Sequence, residues 1–249
     1  MKKIVLSTLL ISTLVLCAEP DTTKDDPFLT HTELGFIQTE GNTKTTTYTL
    51  DTKAKKGWGK HLGNFMFDGQ YASDQNVETK NKFVSELTYN YEFTDRFAFD
   101  YLLGYKADKF SGFDYQWYTG PGAKYKLIVS ENHNLTVDGN LLYSEDRYEA
   151  TPLTTPPLDS YSNTYLGYRL KAVYAWQIIQ NLKFDQELSI RGSFEETKNY
   201  FAFSKSALSS KISDIFSASI SYKVDYANVP ASGKKSTDTT LTANLIIDY

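Results

Sequence analysis

The stretch that decides the fold runs Lys82-Phe83-Val84-Ser85-Glu86-Leu87-Thr88-Tyr89-Asn90-Tyr91-Glu92-Phe93-Thr94-Asp95-Arg96-Phe97-Ala98-Phe99-Asp100-Tyr101-Leu102-Leu103-Gly104-Tyr105-Lys106. Before the turn, Phe83, Ser85, Leu87, Tyr89, Tyr91 and Phe93 fall in one register and Lys82, Val84, Glu86, Thr88, Asn90 and Glu92 in the other. After Thr94-Asp95-Arg96, Phe97, Phe99, Tyr101, Leu103 and Tyr105 oppose Ala98, Asp100, Leu102, Gly104 and Lys106. Successive strand side chains point to opposite faces, so this period of 2 describes a hairpin with one apolar and one polar side.

The same division recurs along the chain. Tyr48, Leu50 and Ala54 oppose Thr49, Asp51 and Lys53; Leu135, Val137, Leu141 and Tyr143 oppose Thr136, Asp138 and Asn140. Leu166, Tyr168, Leu170, Tyr174 and Trp176 oppose Arg169 and Lys171, and Phe216, Ile220, Tyr222 and Val224 oppose Ser221, Lys223 and Asp225. About twelve strands fit, with roughly 19 residues for each strand and its connection, against the about 9–11 that a tilted membrane strand needs. Connections are expected to alternate in length. Short ones fall near Thr94–Arg96, Val129–His133, Gln177–Asn181 and Ile212–Asp214; longer ones near Ser73–Asn81, Ala107–Gly112, Glu149–Asn163, Gly192–Lys198 and Asn228–Ser236. Two stretches fit poorly. Lys205 shares a register with Phe201, Phe203 and Ala207, and Gly120-Pro121-Gly122 interrupts a strand, where a bend is expected because proline removes a ladder donor.

Composition narrows the class. Mean hydropathy is −0.43, which excludes a helical membrane bundle, while 19 Tyr and 15 Phe argue against disorder. At the N-terminus, Met1-Lys2-Lys3, an apolar run from Ile4 to Leu16 and then Cys17-Ala18 form the pattern of a secretory signal peptide cleaved after Ala18. That cleavage removes the single Cys; an acylated Cys17 is the alternative, and Leu16 before it departs from the lipoprotein pattern. It also removes Lys2 and Lys3 from 26 basic residues, leaving 24 against 30 acidic ones, a balance that argues against nucleic acid. Residues 19–32 read as a flexible leader and 33–249 as the barrel.

An amphipathic strand set with one charged face and rings near the strand ends suits an up-and-down antiparallel transmembrane β-barrel of the outer membrane: apolar sides meet lipid, and aromatic girdles mark two interfaces. Tyr89, Tyr91, Phe93, Phe97, Phe99, Tyr174 and Trp176 lie beside short turns; Tyr115, Trp117, Tyr143 and Tyr226 lie beside long loops. The expected partners are outer-membrane lipids and, through a last strand ending on Tyr249, the barrel-assembly machinery.

Two motifs carry a family resemblance. Glu33-Leu34-Gly35-Phe36-Ile37-Gln38-Thr39-Glu40-Gly41-Asn42-Thr43-Lys44-Thr45-Thr46-Thr47 resembles the opening hairpin of the YdiY-like family of salt-induced outer-membrane proteins, and Gly120-Pro121-Gly122-Ala123-Lys124-Tyr125 is similar to its Gly-Pro-Gly strand. The resemblance implies an outer-membrane barrel linked to salt or osmotic stress. It implies no catalytic or ligand residue, because the family's function is otherwise unknown.

No enzyme chemistry stands out. His31, His61 and His133 are the three histidines, and none is spaced as a metal ligand; His61 and His133 read as rim histidines in turns. No His-x-Ser pair supports a lipase, and neither a cofactor nor a metal is expected. The remaining constellation is the polar face itself. Lys82, Glu86, Asp100, Lys106, Asp138, Arg169, Lys171, Asp185, Glu187, Arg191, Lys223 and Asp225 are the expected lumen-facing residues. They describe either a narrow polar pore of mixed charge passing ions or small solutes, or a salt-bridged plug in a closed structural or surface-binding barrel.

Overall fold

The computed structural model describes residues 27–39, 45–150, 159–230 and 234–248. Twelve antiparallel strands run β1 Leu29–Thr39, β2 Thr45–Trp58, β3 His61–Asp74, β4 Val77–Glu92, β5 Phe97–Asp108, β6 Phe113–Val129, β7 His133–Tyr148, β8 Tyr161–Ile179, β9 Leu182–Ser193, β10 Tyr200–Lys211, β11 Phe216–Ala227 and β12 Thr237–Asp248. Each pairs with its chain neighbours, and β1 pairs with β12, so the sheet closes and leaves no edge. The fold is thus a closed all-β barrel, and no helix among the described residues is long and apolar enough to cross a membrane.

Hydroxyl side chains build three of the short turns in the same way. Thr94, Ser130 and Ser213 each accept a hydrogen bond from the backbone N–H three residues on, of Phe97, His133 and Phe216, at 2.9, 3.0 and 3.0 Å. This local bond turns the chain within a few residues and sets the register of the next strand.

The alternation also sets inside and outside. Leu87, Leu103, Leu141, Leu166, Leu170, Ile220 and Leu241 stand exposed on the outer wall, an apolar belt that runs round the cylinder. Rings cluster where strands end. At the short-turn end, Trp58 stacks on His61, whose Nδ1 is 2.6 Å from the Tyr89 hydroxyl; His133 stacks on Trp176 with Nδ1 2.8 Å from the Tyr174 hydroxyl. His61 and His133 therefore begin strands inside ring clusters and do not sit in turns. At the other end, the Trp117 indole donates to Glu145 at 2.9 Å, the polar handle expected of an interfacial ring.

Three sequence expectations change. The loop expected at Ser73–Asn81 is a two-residue turn: Asp74 pairs with Val77, and Gln75 and Asn76 take φ of 48° and 64°. Two consecutive left-handed residues match the twist of a tight hairpin, so no longer connection is needed. The leader expected to reach residue 32 ends sooner, because β1 starts at Leu29 and pairs there with Lys55. Around Pro121 the register is unshifted, since Thr119 pairs with Tyr143 and Gly122 with Asn140; the irregularities of β6 fall at Phe113/Tyr115 and Lys126/Ile128. Pro121 faces outward and Gly122 faces inward, where a Cβ would overlap the Asn140 side chain. Residues 1–26, the Gly41-Asn42 turn, most of the 149–163 connection and Tyr249 lie outside the described residues.

Candidate functional site

Side chains on strands far apart round the barrel meet through its interior. Lys82 on β4 pairs with Asp225 on β11 at 2.5 Å, five strands away. Arg169 on β8 bridges Glu86 on β4 at 3.0 Å and Asp138 on β7 at 3.2 Å. Lys223 on β11 reaches Asp51 on β2 and Asp68 on β3 at 2.9 and 2.5 Å, and Lys205 on β10 reaches Glu33 on β1 and Asp51 at 2.9 and 3.1 Å. Lys171 pairs with Glu187 at 2.6 Å. Such reach is available only to inward-pointing side chains, and it makes a charged waist across the lumen.

The structure places the twelve expected residues as follows. Lys82, Glu86, Asp138, Arg169, Lys171, Glu187, Lys223 and Asp225 belong to the waist pairs. Asp100 is buried and accepts from the Asn90 and Asn140 amides, both at 2.5 Å. Asp185 pairs only with Lys183 of its own strand, at 2.8 Å, near the short-turn end. Arg191 lies against the Tyr118 and Phe201 rings and 3.9 Å from Asp146, and Lys106 has no carboxylate within ion-pair distance among the described residues.

Sequence reasoning passed over Glu33, Asp51, Asp68 and Lys205 as lumen groups. For Asp51 and Asp68 the signal was present, since each sits in a polar register beside Thr49 or Gln70. Lys205 was hidden because β10 reverses the usual pattern. Phe201, Phe203 and Lys205 line interior cavities, while Ser204 and Ser206 face out and bond the outward Gln186 at 3.1 and 2.5 Å.

One sector of the interior is filled. Leu102, Tyr118 and Leu142, on β5, β6 and β7, form a buried cluster, and the Tyr118 hydroxyl donates to Glu86 at 2.7 Å. Gly104 makes this possible, because a Cβ there would overlap the Tyr118 ring. The remaining interior is open as two cavities. One, of about 450 Å³, lies at the long-loop end and reaches Lys80, Phe110 and Lys235; the other, of about 510 Å³, lies at the short-turn end and reaches His31, Gln180 and Asp248. Both touch Lys53, Glu187 and Lys205, so they approach each other at the waist. Among the described residues no group of three or more His, Cys, Asp or Glu is arranged to hold a metal.

A closed cylinder with an apolar outer belt and a charged interior defines the class: a β-barrel of the outer-membrane architecture. The chain belongs to the family described as "Protein of unknown function, DUF481", which matches residues 32–249. It is 26% identical over 225 residues to "Uncharacterized protein YdiY" of Escherichia coli (strain K12), covering 88% of this chain and 82% of that one. The translocator domain of the autotransporter NalP from Neisseria meningitidis is similar in structure at a TM-score of 0.50 and 10% identity, covering 93% of this chain and 89% of that one. A NanC porin structure aligns at a TM-score of 0.47 and 10% identity, covering 89% and 98%. These likenesses concern the fold.

Proposed function

We propose that this protein is an integral outer-membrane barrel whose lumen is a narrow polar pore for ions or small solutes. It reaches the membrane by signal-peptide secretion, is assembled through its last strand and serves the envelope under salt or osmotic stress. The observation that carries the pore reading is the pair of cavities, one from each end and each lined in part by charged side chains, that approach each other at Lys53, Glu187 and Lys205. Mixed charge along such a path gives weak ion preference. Its side chains are flexible lysines and carboxylates, which can exchange partners with passing ions. No part of this reading calls for an enzyme.

A specific observation favours a second reading. The Lys82–Asp225 and Arg169–Glu86 bridges cross the lumen, and Leu102, Tyr118 and Leu142 fill one side of it. A barrel sealed this way would be structural, or would bind at its surface through the 149–163 connection. Planar-bilayer recording separates the two. The pore reading expects small, stable current steps from pure folded protein. It also expects conductance to rise with salt between about 0.1 and 1 M roughly in proportion to ion concentration, because the buried waist pairs are little screened. No current at any voltage would leave the closed barrel.

A further inference from the structure

The carboxylates of the long-loop cavity are mostly committed to cations, whereas two of its cations are not committed to carboxylates. Asp225 is taken by Lys82, Asp51 and Asp68 by Lys223, and Glu187 by Lys171. Asp108 caps the Phe110 N–H at 3.1 Å, and Asp238 lies at the cavity mouth beside the exposed Lys234 and Lys235. Arg191, only 8% exposed, lines the same cavity with its guanidinium carbon 4.5 Å from the Tyr118 ring centre and 4.9 Å from that of Phe201. Its buried Nη1 has no hydrogen-bond partner. The nearest carboxylate, Asp146, stands 3.9 Å away and already receives Gln116 and Tyr165 at 2.8 and 3.0 Å. Lys106, half-buried in the same wall, has no ion-pair partner among the described residues.

We propose that this cavity is a binding subsite for a small carboxylate-bearing solute, held by Arg191 and Lys106. A buried guanidinium whose one ion pair among the described residues is a long 3.9 Å contact, with Nη1 making no hydrogen bond, is costly unless something completes it. Two ring centres lie 4.5 and 4.9 Å from it and its Nη1 has no hydrogen-bond partner, so a carboxylate in the cavity meets a planar fork, the group that suits bidentate pairing better than Lys. Tyr118 and Phe201 offer apolar faces to the rest of the solute, and Lys234 and Lys235 raise the local concentration of anions at the mouth. A volume of about 450 Å³ takes a single sugar acid and not a polymer. The proposal deepens the pore reading by naming what the passage selects, but it needs access only from the long-loop end.

Isothermal calorimetry on the full barrel in detergent tests it, with sodium glucuronate, glucose and inorganic phosphate as titrants. Glucuronate should bind at least about tenfold more tightly than glucose, and Arg191→Lys, which keeps the charge but loses the fork, should weaken it by about the same factor. Lys106→Gln breaks no pair in the free protein, so it should fold normally and still weaken glucuronate severalfold. Equal binding of glucose, phosphate as tight as glucuronate, or glucuronate affinity unchanged in folded Lys106→Gln would each overturn the assignment. Calorimetry and bilayer recording fail separately: binding without current removes the pore and keeps the subsite, and current without binding does the reverse.

Discussion

The β5–β7 side of the lumen and the side formed by β9–β12 with β1–β4 use one strand geometry for different ends. The first is packed like a protein core, with Leu102 and Leu142 buried beside Tyr118 and Asp100 held between two asparagine amides. The second is lined by long charged side chains held in ion pairs and lines most of both cavities. A barrel of this strand number lies between the small barrels that side chains fill and the roughly 16–18-stranded ones that hold an aqueous channel. Packing one sector with apolar side chains and lining the other with ion pairs suits that intermediate width. The plug and the path share one interior.

The largest expected effect lies in the packed sector. Leu102 has no exposed surface, so Leu102→Ala removes a fully buried side chain and leaves a void, at a cost of about 2–5 kcal/mol. Urea unfolding in detergent, followed by tryptophan fluorescence, should show it as an earlier midpoint, while any ion current stays close to that of the wild type. If Leu102→Ala altered the current more than the stability, the packed side would be part of the path and the contrast would fail.

Next in size is a test of inside against outside within one strand. Leu170 is 56% exposed on the outer wall, and its neighbour Lys171 points inward to Glu187. An Arg placed on a lipid face costs about 2–4 kcal/mol at the midplane. Leu170→Arg should therefore impair assembly, read as loss of the heat-modifiable gel band. Lys171→Leu removes the ion-pair partner of Glu187, with Lys53 still lining the same two cavities, and should leave the folded band in place while shifting ion preference toward cations. Equal loss of the folded band in both variants would contradict the orientation of β8.

Much of this was legible in the residues and some was not. Strand number, closure and the inward set from Lys82 to Asp225 follow from alternation, because a strand with one wet face must write its polar residues every second position. Leu102 shared a register with Asp100 and Lys106 and carried no sign of being core, since an apolar residue on a polar face becomes meaningful only when Leu142 and Tyr118 arrive from other strands. Phe201 misled for the related reason that a ring on an inner wall serves a neighbour, here Arg191, and not lipid. Turn length was misread at Gln75-Asn76 because polar strand ends that project past the belt look like loop in composition.

The smallest effect sharpens the boundary between interior and surface charge. In the short connection between β10 and β11, Lys211 donates to Asp214 at 2.8 Å, and its ammonium holds the Asp214 carboxyl below the usual range. The folded value is the lower one. The pair's contribution is therefore complete above the ordinary carboxylate pKa of about 3.9 and is lost as pH falls through the folded value. With the Asp214 side chain 98% exposed, water and salt screen that contribution almost entirely. Asp214→Asn should leave the urea midpoint unchanged at neutral pH, whereas a waist variant such as Lys171→Leu should lower it, and by a similar amount in low and high salt, because buried pairs are little screened. A clear loss from Asp214→Asn that persists in high salt would mean that this turn is sheltered from water and that the charged region extends beyond the lumen.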